Sequence, residues 1–340
     1  MLKWLEIKKM FEERKQLYRN LEQKRDSKVL VYVTGDRPGH ETQISAEAFD
    51  LFVNQLDLIG DVPKITLFIY TRGGDTLAAW SLINLIRMFC KELEVIIPSK
   101  CHSSGTLMSL GANKIVMTKQ ATLGPIDPSL NGPLNPQVMI NNQPQSYSVS
   151  VEDVKGYISV AKKEFGITDG SGLAQILLAL SEKVHPLVLG NVYRAQSQIQ
   201  MLARKLLTNQ IDDPKSAEKV ISFLCSESGS HDYTINRSEA MNDLGLKIEI
   251  PDEELYALIK QIYSDIKDEL KLSEPFDPSK ILGTNDQAAY ESVRCLIESP
   301  ETFSYQYRTN GLLHKQQIAP NIPQFVANNI IINEGWKRYD

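Results

Sequence analysis

Two short segments of this 340-residue chain combine residue types that could carry out acyl transfer. Gly73 and Gly74 follow the apolar run Ile65–Tyr70, and glycines at the carboxyl end of a buried strand can turn sharply and expose backbone N–H groups. Ser103 precedes a stretch of small residues that predicts a helix from 104 to 112. A serine in that place could act as a nucleophile, because the helix end and exposed N–H groups favour a developing negative charge.

Each segment also has an ordinary structural interpretation. A Gly-Gly pair is common in a plain tight turn. A serine before a helix is more often an N-cap than a nucleophile. Taken alone, neither segment decides between structure and chemistry.

The elements that must position these residues alternate along the first part of the chain. Four apolar runs predict strands, and the segments between them have helical patterns. The predicted strands are Val29–Val33, Ile65–Tyr70, Val95–Ile97 and Lys114–Met117. Because strands that alternate with helices form parallel sheets covered by helices, the fold class is predicted to be α/β.

The remaining segments predict three further regions. Residues 1 to 28 are predicted to form an amphipathic helix that packs on the body or on a neighbouring subunit. Pro, Asn and Gly residues predict a loop from Gly124 to Gln145, and helical patterns run from Val151 to about Leu224. Beyond 250 we expect a C-terminal α+β extension, residues 251 to 340, with a helix at 251 to 272 and a hairpin turning at Asn310-Gly311.

Composition excludes several functional classes. With 37 basic and 42 acidic residues the formal net charge is -5, which gives little support for a nucleic-acid partner. The four cysteines have no C-x-x-C spacing that would indicate a metal site. We see no signal-peptide pattern at the N-terminus and no apolar stretch long enough to span a bilayer, so we expect a cytoplasmic protein without direct membrane insertion.

The order of four motifs resembles one family closely. The chain is similar to the serine dehydrogenase proteinases, relatives of the Clp protease subunit and of the signal-peptide-peptidase A enzymes. The matching segments read Ser103-Ser104-Gly105-Thr106-Leu107, Ile115-Val116-Met117, Leu123-Gly124-Pro125-Ile126-Asp127-Pro128 and His231-Asp232-Tyr233-Thr234-Ile235. The resemblance covers residues 29 to 250 and implies a Clp/crotonase-like serine peptidase domain.

The resemblance also implies roles for individual residues. Its Ser-x-Gly motif makes Ser103, rather than Ser104, the nucleophile. The backbone N–H of Ser104 would then form the oxyanion hole together with that of Gly73 or Gly74. The spacing of a Clp-type catalytic aspartate before a later Glu-Ala pair falls on Asp232. Arg72 departs from the pattern, since it stands where these enzymes carry proline.

The general base is not settled by the resemblance. The position of the Clp-type histidine holds no histidine, and the lysine position of the signal-peptide-peptidase A enzymes falls at Val149. His231 is therefore the first candidate, because a histidine titrates near neutral pH. Lys155 is the second candidate, and it would need desolvation to lower its pKa. His102 is a weaker choice, since adjacent side chains diverge.

These observations lead to a main expectation with two alternatives. We expect a serine endopeptidase that cleaves polypeptides through an acyl-enzyme on Ser103, needs no metal or organic cofactor, and assembles as a trimer-based or ring-shaped homo-oligomer. A catalytically silent Clp-like scaffold or binding protein is the first alternative, because no base stands at either familiar position. A crotonase-type enzyme acting on coenzyme A thioesters is the weaker alternative, since that chemistry needs no serine at the helix start.

Overall fold

The computed structural model describes residues 2–126, 129–130, 132–140, 143–227, 230, 232–319 and 322–339. Asp127, Pro128 and His231 lie outside these residues. Within the described part, the helices are α1 (Leu2–Arg25), α2 (Ala48–Ile59), α3 (Thr76–Met88), α4 (Ser104–Leu110), α5 (Val151–Lys163), α6 (Gly170–Lys183), α7 (Pro186–Leu207), α8 (Pro214–Ser222), α9 (Arg237–Asn242), α10 (Glu253–Glu269) and α11 (Pro278–Leu282). A π-helical turn, Phe223–Glu227, follows α8.

The strands of the main sheet come from both ends of the chain. They are β1 (Lys28–Thr34), β2 (Val62–Tyr70), β3 (Cys90–Ile97), β5 (Lys114–Met117), β12 (Ile248–Glu249), β13 (Gln287–Glu298), β14 (Ser304–Ala319) and β15 (Ile322–Tyr339). The short strands are β4 (Lys100–Cys101), β6 (Thr122–Leu123), β7 (Ser129–Leu130), β8 (Gln137–Ile140), β9 (Gln143–Ser146), β10 (Val149–Ser150) and β11 (Ile235–Asn236).

The main sheet has the order β12-β5-β3-β2-β1-β13-β14-β15. Its first five strands are parallel, and the last three continue it in antiparallel pairing. The predicted α/β class, with a parallel sheet between helices, is confirmed. The carboxyl ends of β1, β2 and β3 lie at one edge, which is where open parallel sheets bind ligands.

Successive side chains of the central strands point to opposite faces, as the period of two requires. On one face, Leu30, Leu67 and Ile69 pack with α2, α3, α4 and α7. On the other face, Val31 and Phe68 pack with α1 and α10. Because both faces are covered, these strands read as continuous apolar runs rather than alternating ones.

The N-terminal helix is held to the body by a buried cluster of charges. The Arg14 guanidinium, fully buried on α1, donates to Glu298 Oε1 and Oε2 on β13 at 2.7 and 2.9 Å. It also lies 2.6 Å from Glu269 Oε2 on α10. This confirms that α1 packs on the body, and it shows that some of the contacts of α1 are with C-terminal residues.

The hairpin predicted at Asn310-Gly311 is wrong. Both residues lie inside β14, where Gly311 pairs with Tyr290 of β13 and with Ile331 of β15. A Cβ on Gly311 would lie 2.5 to 2.6 Å from the Tyr290 ring, so the glycine makes room for an aromatic side chain across the sheet. The Asn-Gly pair also coincides with a β-bulge against β15, and the chain continues instead of turning.

Two further observations concern the middle of the chain. The segment predicted as a loop, 124 to 145, contains the short strands β7, β8 and β9. No single helix among the described residues combines the length and apolar composition of a membrane span, and only α6 and α7 taken together, with a bend of 105°, meet those criteria.

Candidate active site

Gly73 and Gly74 adopt backbone conformations that other residues rarely take. Their φ angles are +111° and +146°. A Cβ on Gly74 would lie 2.5 Å from the Ile44 nitrogen, so glycine is needed for the close approach of this segment. Ile44 forms a parallel bridge with Gly74, in which Ile44 N donates to Gly73 O at 2.9 Å and Asp75 N donates to Ile44 O at 2.8 Å.

Ser103 stands directly opposite this glycine segment. A Cβ on Gly73 would lie 2.7 Å from Ser103 Cβ and 3.2 Å from Ser103 Oγ. Ser103 has φ 52° and ψ −118°, which is a strained conformation for a residue other than glycine. Its side chain makes no hydrogen bond to the N-terminus of α4. Ser103 therefore occupies the N-cap position without capping α4 through its side chain, and its hydroxyl lies beside Gly73.

The two residues after Ser103 lock the helix onto the glycine segment. Ser104 Oγ donates to Gly74 O at 2.6 Å. A Cβ on Gly105 would overlap Thr71 Cγ2 and lie 2.9 Å from Cys101 Sγ. The Ser-x-Gly pattern thus has a packing reason: only glycine lets α4 lie this close to the end of β2.

The Leu-Gly-Pro segment is joined to the same site. Thr106 Oγ1 donates to Gly124 O at 2.7 Å and accepts from Gly124 N at 3.1 Å. The His102 ring lies against Gly124, with its Cγ 3.1 Å from where a Cβ would stand, and its Nε2 is 2.8 Å from Thr122 Oγ1. Because this contact directs the ring toward β6, His102 has a structural role beside Ser103.

Three backbone N–H groups were expected to serve an oxyanion hole, and the structure distinguishes among them. Gly73 N already donates to Thr71 Oγ1 at 2.9 Å. The bridge to Ile44 does not use Gly74 N. Ser104 opens α4, where the first N–H groups have no partner within the helix. Gly74 and Ser104 are thus the better pair of donors.

The small sheet β4-β6-β11 brings the His-Asp-Tyr-x-Ile segment to the same region. Cys101 of β4 pairs with Leu123 of β6, which pairs with Ile235 of β11. Because β11 is antiparallel to the other two strands, residues 232 to 234 extend beyond the end at which β4 leads into Ser103. Asp232 is exposed there, and its N–H donates to Ser230 Oγ at 3.2 Å. No described contact joins Asp232 to Ser103.

Lys155 projects from α5 toward the π-helical turn. Its Nζ donates to Ser226 Oγ at 2.9 Å, and Gln196 Nε2 donates to the same oxygen at 2.8 Å. The turn is connected to the site, since Ile126 N donates to Leu224 O at 2.7 Å. The described hydrogen bonds of Lys155 do not include Ser103, and His231 lies outside the described residues, so both candidate bases stay predictions.

Other groups near Ser103 are poor candidates for chemistry. Burial raises the pKa of the Cys101 thiol to about 12, so this cysteine is un-ionised at neutral pH. Arg72 is exposed. Within the described residues, we find no cluster of three or more His, Cys, Asp or Glu side chains that could hold a metal ion.

A cavity of about 500 Å³ lies next to the glycine segment and is lined by Ile44, Asp75, Arg294, Tyr307 and Trp336 among others.

The strained serine, the glycine turn and the Leu-Gly-Pro segment form one connected arrangement. Residues 1–163 match the ClpP-like SDH-type serine proteinase family. The match confirms the resemblance over those residues, which include Gly73, Gly74 and Ser103. A ClpP-like serine proteinase fold therefore carries the site, while Asp232 and His231 lie beyond the matched part.

The chain is also similar to two uncharacterised proteins of Methanocaldococcus jannaschii. One, MJ0137, is 29% identical over 198 residues, which are 58% of this chain and 57% of that protein. The other, MJ1495, is 27% identical over 188 residues, which are 55% and 52% of the two chains. The chain thus spans just over half the length of the curated relatives it matches.

Solved structures similar to the chain include two kinds of protease. A mutant of the 1510-N membrane-bound stomatin-specific protease is 13% identical, with a TM-score of 0.38 over 67% of this chain and 83% of that one. ClpP1 from Listeria monocytogenes is 16% identical, with a TM-score of 0.35 over 69% and 99% of the two chains.

Sequence reasoning missed two residues that shape the site. Thr71 holds Gly73 N and also contacts Thr34 Oγ1 at 2.6 Å. Ile44, 1% exposed, supports both glycines from the opposite side. No sequence pattern marks either residue as part of the site. Ile44 lies outside the predicted strands, and its pairing with Gly74 depends on the path of the loop before it.

Proposed function

We propose that this chain is a serine peptidase that cleaves polypeptides through an acyl-enzyme on Ser103. The observation that carries the proposal is Ser103 itself, which has a positive φ and an uncapped hydroxyl that lies beside Gly73. Strain of this kind costs about 1–3 kcal/mol and persists where surrounding contacts impose it. Here Ser104, Gly105 and Thr106 make close contacts that hold the start of α4 against the glycine segment and Gly124.

The proposed reaction follows from the positions of these groups. Ser103 Oγ attacks the carbonyl carbon of a peptide bond, and its proton passes to a general base. The N–H groups of Gly74 and Ser104 stabilise the oxyanion. The C–N bond then breaks as the base returns the proton to the leaving amine. Water, deprotonated by the same base, hydrolyses the acyl-enzyme and releases the second product.

The base is proposed to be His231, with Lys155 as the second candidate. His231 precedes Asp232 in the His-Asp-Tyr-x-Ile motif, and the described residues 232 to 234 extend toward the end at which β4 leads into Ser103. Lys155 would have to leave Ser226 before it could accept a proton from Ser103. A histidine side chain titrates near neutral pH, which suits a general base.

We also propose a homo-oligomer, formed through the helical region α5 to α7. None of the residues of α6 is buried, although this helix contains leucines at four positions. Leu177 and Leu178 are 55% and 65% exposed, and Phe165, Leu187 and Tyr193 near them are 73%, 63% and 73% exposed. Exposed apolar patches of this kind mark interaction sites, and a second copy of the chain would cover this one.

One observation favours the silent scaffold as a second candidate. Among the described residues, no titratable side chain forms a hydrogen bond to Ser103 Oγ. A serine without a base would retain the fold and the glycine segment but would react slowly.

A fluorophosphonate probe separates the two candidates, because it labels only activated serines. Native wild type should be labelled, whereas Ser103→Ala and heat-denatured protein should not. Ser81→Ala, an exposed serine on α3, is the matched control. Ser104→Ala is expected to slow labelling, since it removes the contact to Gly74 O. Loss of labelling in His231→Ala or Lys155→Ala would identify the base. Absence of labelling in folded wild type would reject the peptidase and favour the scaffold.

A further inference from the structure

Arg294, on the C-terminal strand β13, contacts the loop that leads to the glycine segment. This residue lies on β13 at a β-bulge, between the paired positions Val293 and Cys295. Bulges redirect side chains and free backbone groups from the ladder. The Arg294 carbonyl accepts hydrogen bonds from Gly35 N and from Thr42 Oγ1, both at 2.8 Å. The bulge therefore fixes both ends of the loop from 35 to 42.

The Arg294 guanidinium holds the middle of the same loop. Its Nε donates to His40 O at 3.1 Å, and its Nη2 donates to Glu41 O. On its other side, Nη1 donates to Glu334 Oε2 at 2.9 Å and to Thr309 Oγ1 at 3.0 Å. The side chain is 17% exposed. The planar guanidinium thus binds two successive carbonyls of the loop. Glu334 on β15 neutralises its charge, and Thr309 on β14 helps to orient it.

A second contact from the C-terminal region supports the loop. The Phe276 ring stacks on the His40 ring with centroids 3.6 Å apart, and Phe276 N donates to Pro38 O at 2.8 Å. The loop is thus held by residues that lie beyond those matching the family.

The loop from 35 to 42 leads directly to Ile44, the residue that binds the glycine segment. Two residues after Thr42, the N–H of Ile44 binds Gly73 O and the Ile44 carbonyl binds Asp75 N. Gly73 and Gly74 have positive φ angles and a large conformational freedom of their own. External contacts must therefore select their conformation, and the bridge to Ile44 supplies two of them.

We propose that Arg294 is a positioning residue for the oxyanion hole. It holds the loop from 35 to 42, so that Ile44 keeps Gly73 and Gly74 in the conformation in which the Gly74 N–H faces the reacting carbonyl. The inference rests on the proposed peptidase function. It gives the C-terminal strands a role in activity, in addition to the stability that they contribute.

The test compares Arg294→Ala with Arg308→Ala in the full-length chain. Arg308 is the matched control, because it is a buried arginine of β14 whose bonds go to Glu291 and Gln306 and not to the loop. Two readouts are measured: the amide hydrogen exchange of a peptide covering residues 71 to 76, and the rate of fluorophosphonate labelling. In Arg294→Ala, the amide hydrogens of this peptide should exchange faster than in wild type. The probe should label this variant roughly 100-fold more slowly, since a displacement of about 1 Å in the groups of an active site slows reaction by about that factor. Arg308→Ala should change neither readout.

Two further measurements separate positioning from general destabilisation. Millimolar methylguanidinium should restore labelling of Arg294→Ala, because Arg294 lines the open cavity beside the glycines, whereas it would not restore a misfolded protein. Arg294→Lys keeps the charge beside Glu334 but not the fork, so it should fold and still label slowly. The proposal is overturned if folded Arg294→Lys or Arg294→Ala exchanges and labels like wild type. Unlabelled wild type would reject the peptidase function, and the exchange readout would still test whether Arg294 holds the glycines.

Discussion

The buried charges around Arg14 make a strong prediction about stability. Arg14→Met keeps much of the side-chain volume but removes the cation that faces Glu298, Glu269 and Asp265. Glu298 also accepts hydrogen bonds from Tyr18 and Ser304, both at 2.6 Å, so its charge is well solvated by the protein. Removing one partner of a buried pair costs about 3–5 kcal/mol, because the remaining charge is left uncompensated.

The pH dependence of this variant has a defined sign. Burial is the largest single influence and would raise the pKa of Glu298, but Arg14 together with the hydrogen bonds from Ser304 and Tyr18 holds that pKa below its ordinary value. Glu298 therefore stabilises wild type above the pKa it has when unfolded, and this contribution is lost as the pH falls through the lower folded pKa. Without Arg14, burial raises the pKa of Glu298, so folding takes up a proton and the variant gains stability as the pH falls. The difference in free energy of unfolding between wild type and Arg14→Met should therefore become smaller as the pH is lowered from about 8 to about 5.

Urea unfolding followed by tryptophan fluorescence measures the loss of stability. Lys15→Met on the same helix is the control, since the described ion pair of Lys15 is with exposed Glu12. The double variant Arg14→Met/Glu298→Gln should recover part of the loss, because it removes the unpaired charge. An unfolding midpoint equal to wild type at pH 8, or a deficit that widens toward low pH, would refute the reasoning. Such a result would mean that α1 does not depend on this cluster.

Two other predictions follow from the packing of the site and of the helices. Gly105→Ala should lose about 1–3 kcal/mol of stability and react more slowly with the fluorophosphonate probe, since its Cβ would overlap Thr71. Gly156→Ala on α5 is the control, and it should be neutral or slightly stabilising because the space around Gly156 is open. Equal urea midpoints and labelling rates for Gly105→Ala and wild type would contradict this prediction. Leu177→Glu/Leu178→Glu on the exposed face of α6 should lower the mass measured by light scattering without changing the urea midpoint, and an unchanged mass would exclude this face as the oligomer contact.

The sequence by itself determined the central part of the fold and the location of the chemistry. Apolar runs such as Ile65–Tyr70 predict buried strands wherever they lie, because burial on both faces leaves no alternation. Gly73, Gly74 and Gly105 could be recognised because positive φ angles and close packing admit only glycine. These are local constraints, and a local pattern can record them.

Only the tertiary structure decided how the site is held. The Asn310-Gly311 pair has the local chemistry of a turn, yet pairing on both sides and the ring of Tyr290 keep it in a strand. Ser103 has the sequence position of an N-cap, and its contacts with distant glycines determine its conformation. Arg294 is separated from Gly73 by more than 200 residues, and it contacts the loop from 35 to 42 that leads to Ile44, the residue that binds Gly73. Contacts over such distances arise from the order of strands in the sheet, which no short stretch of sequence encodes.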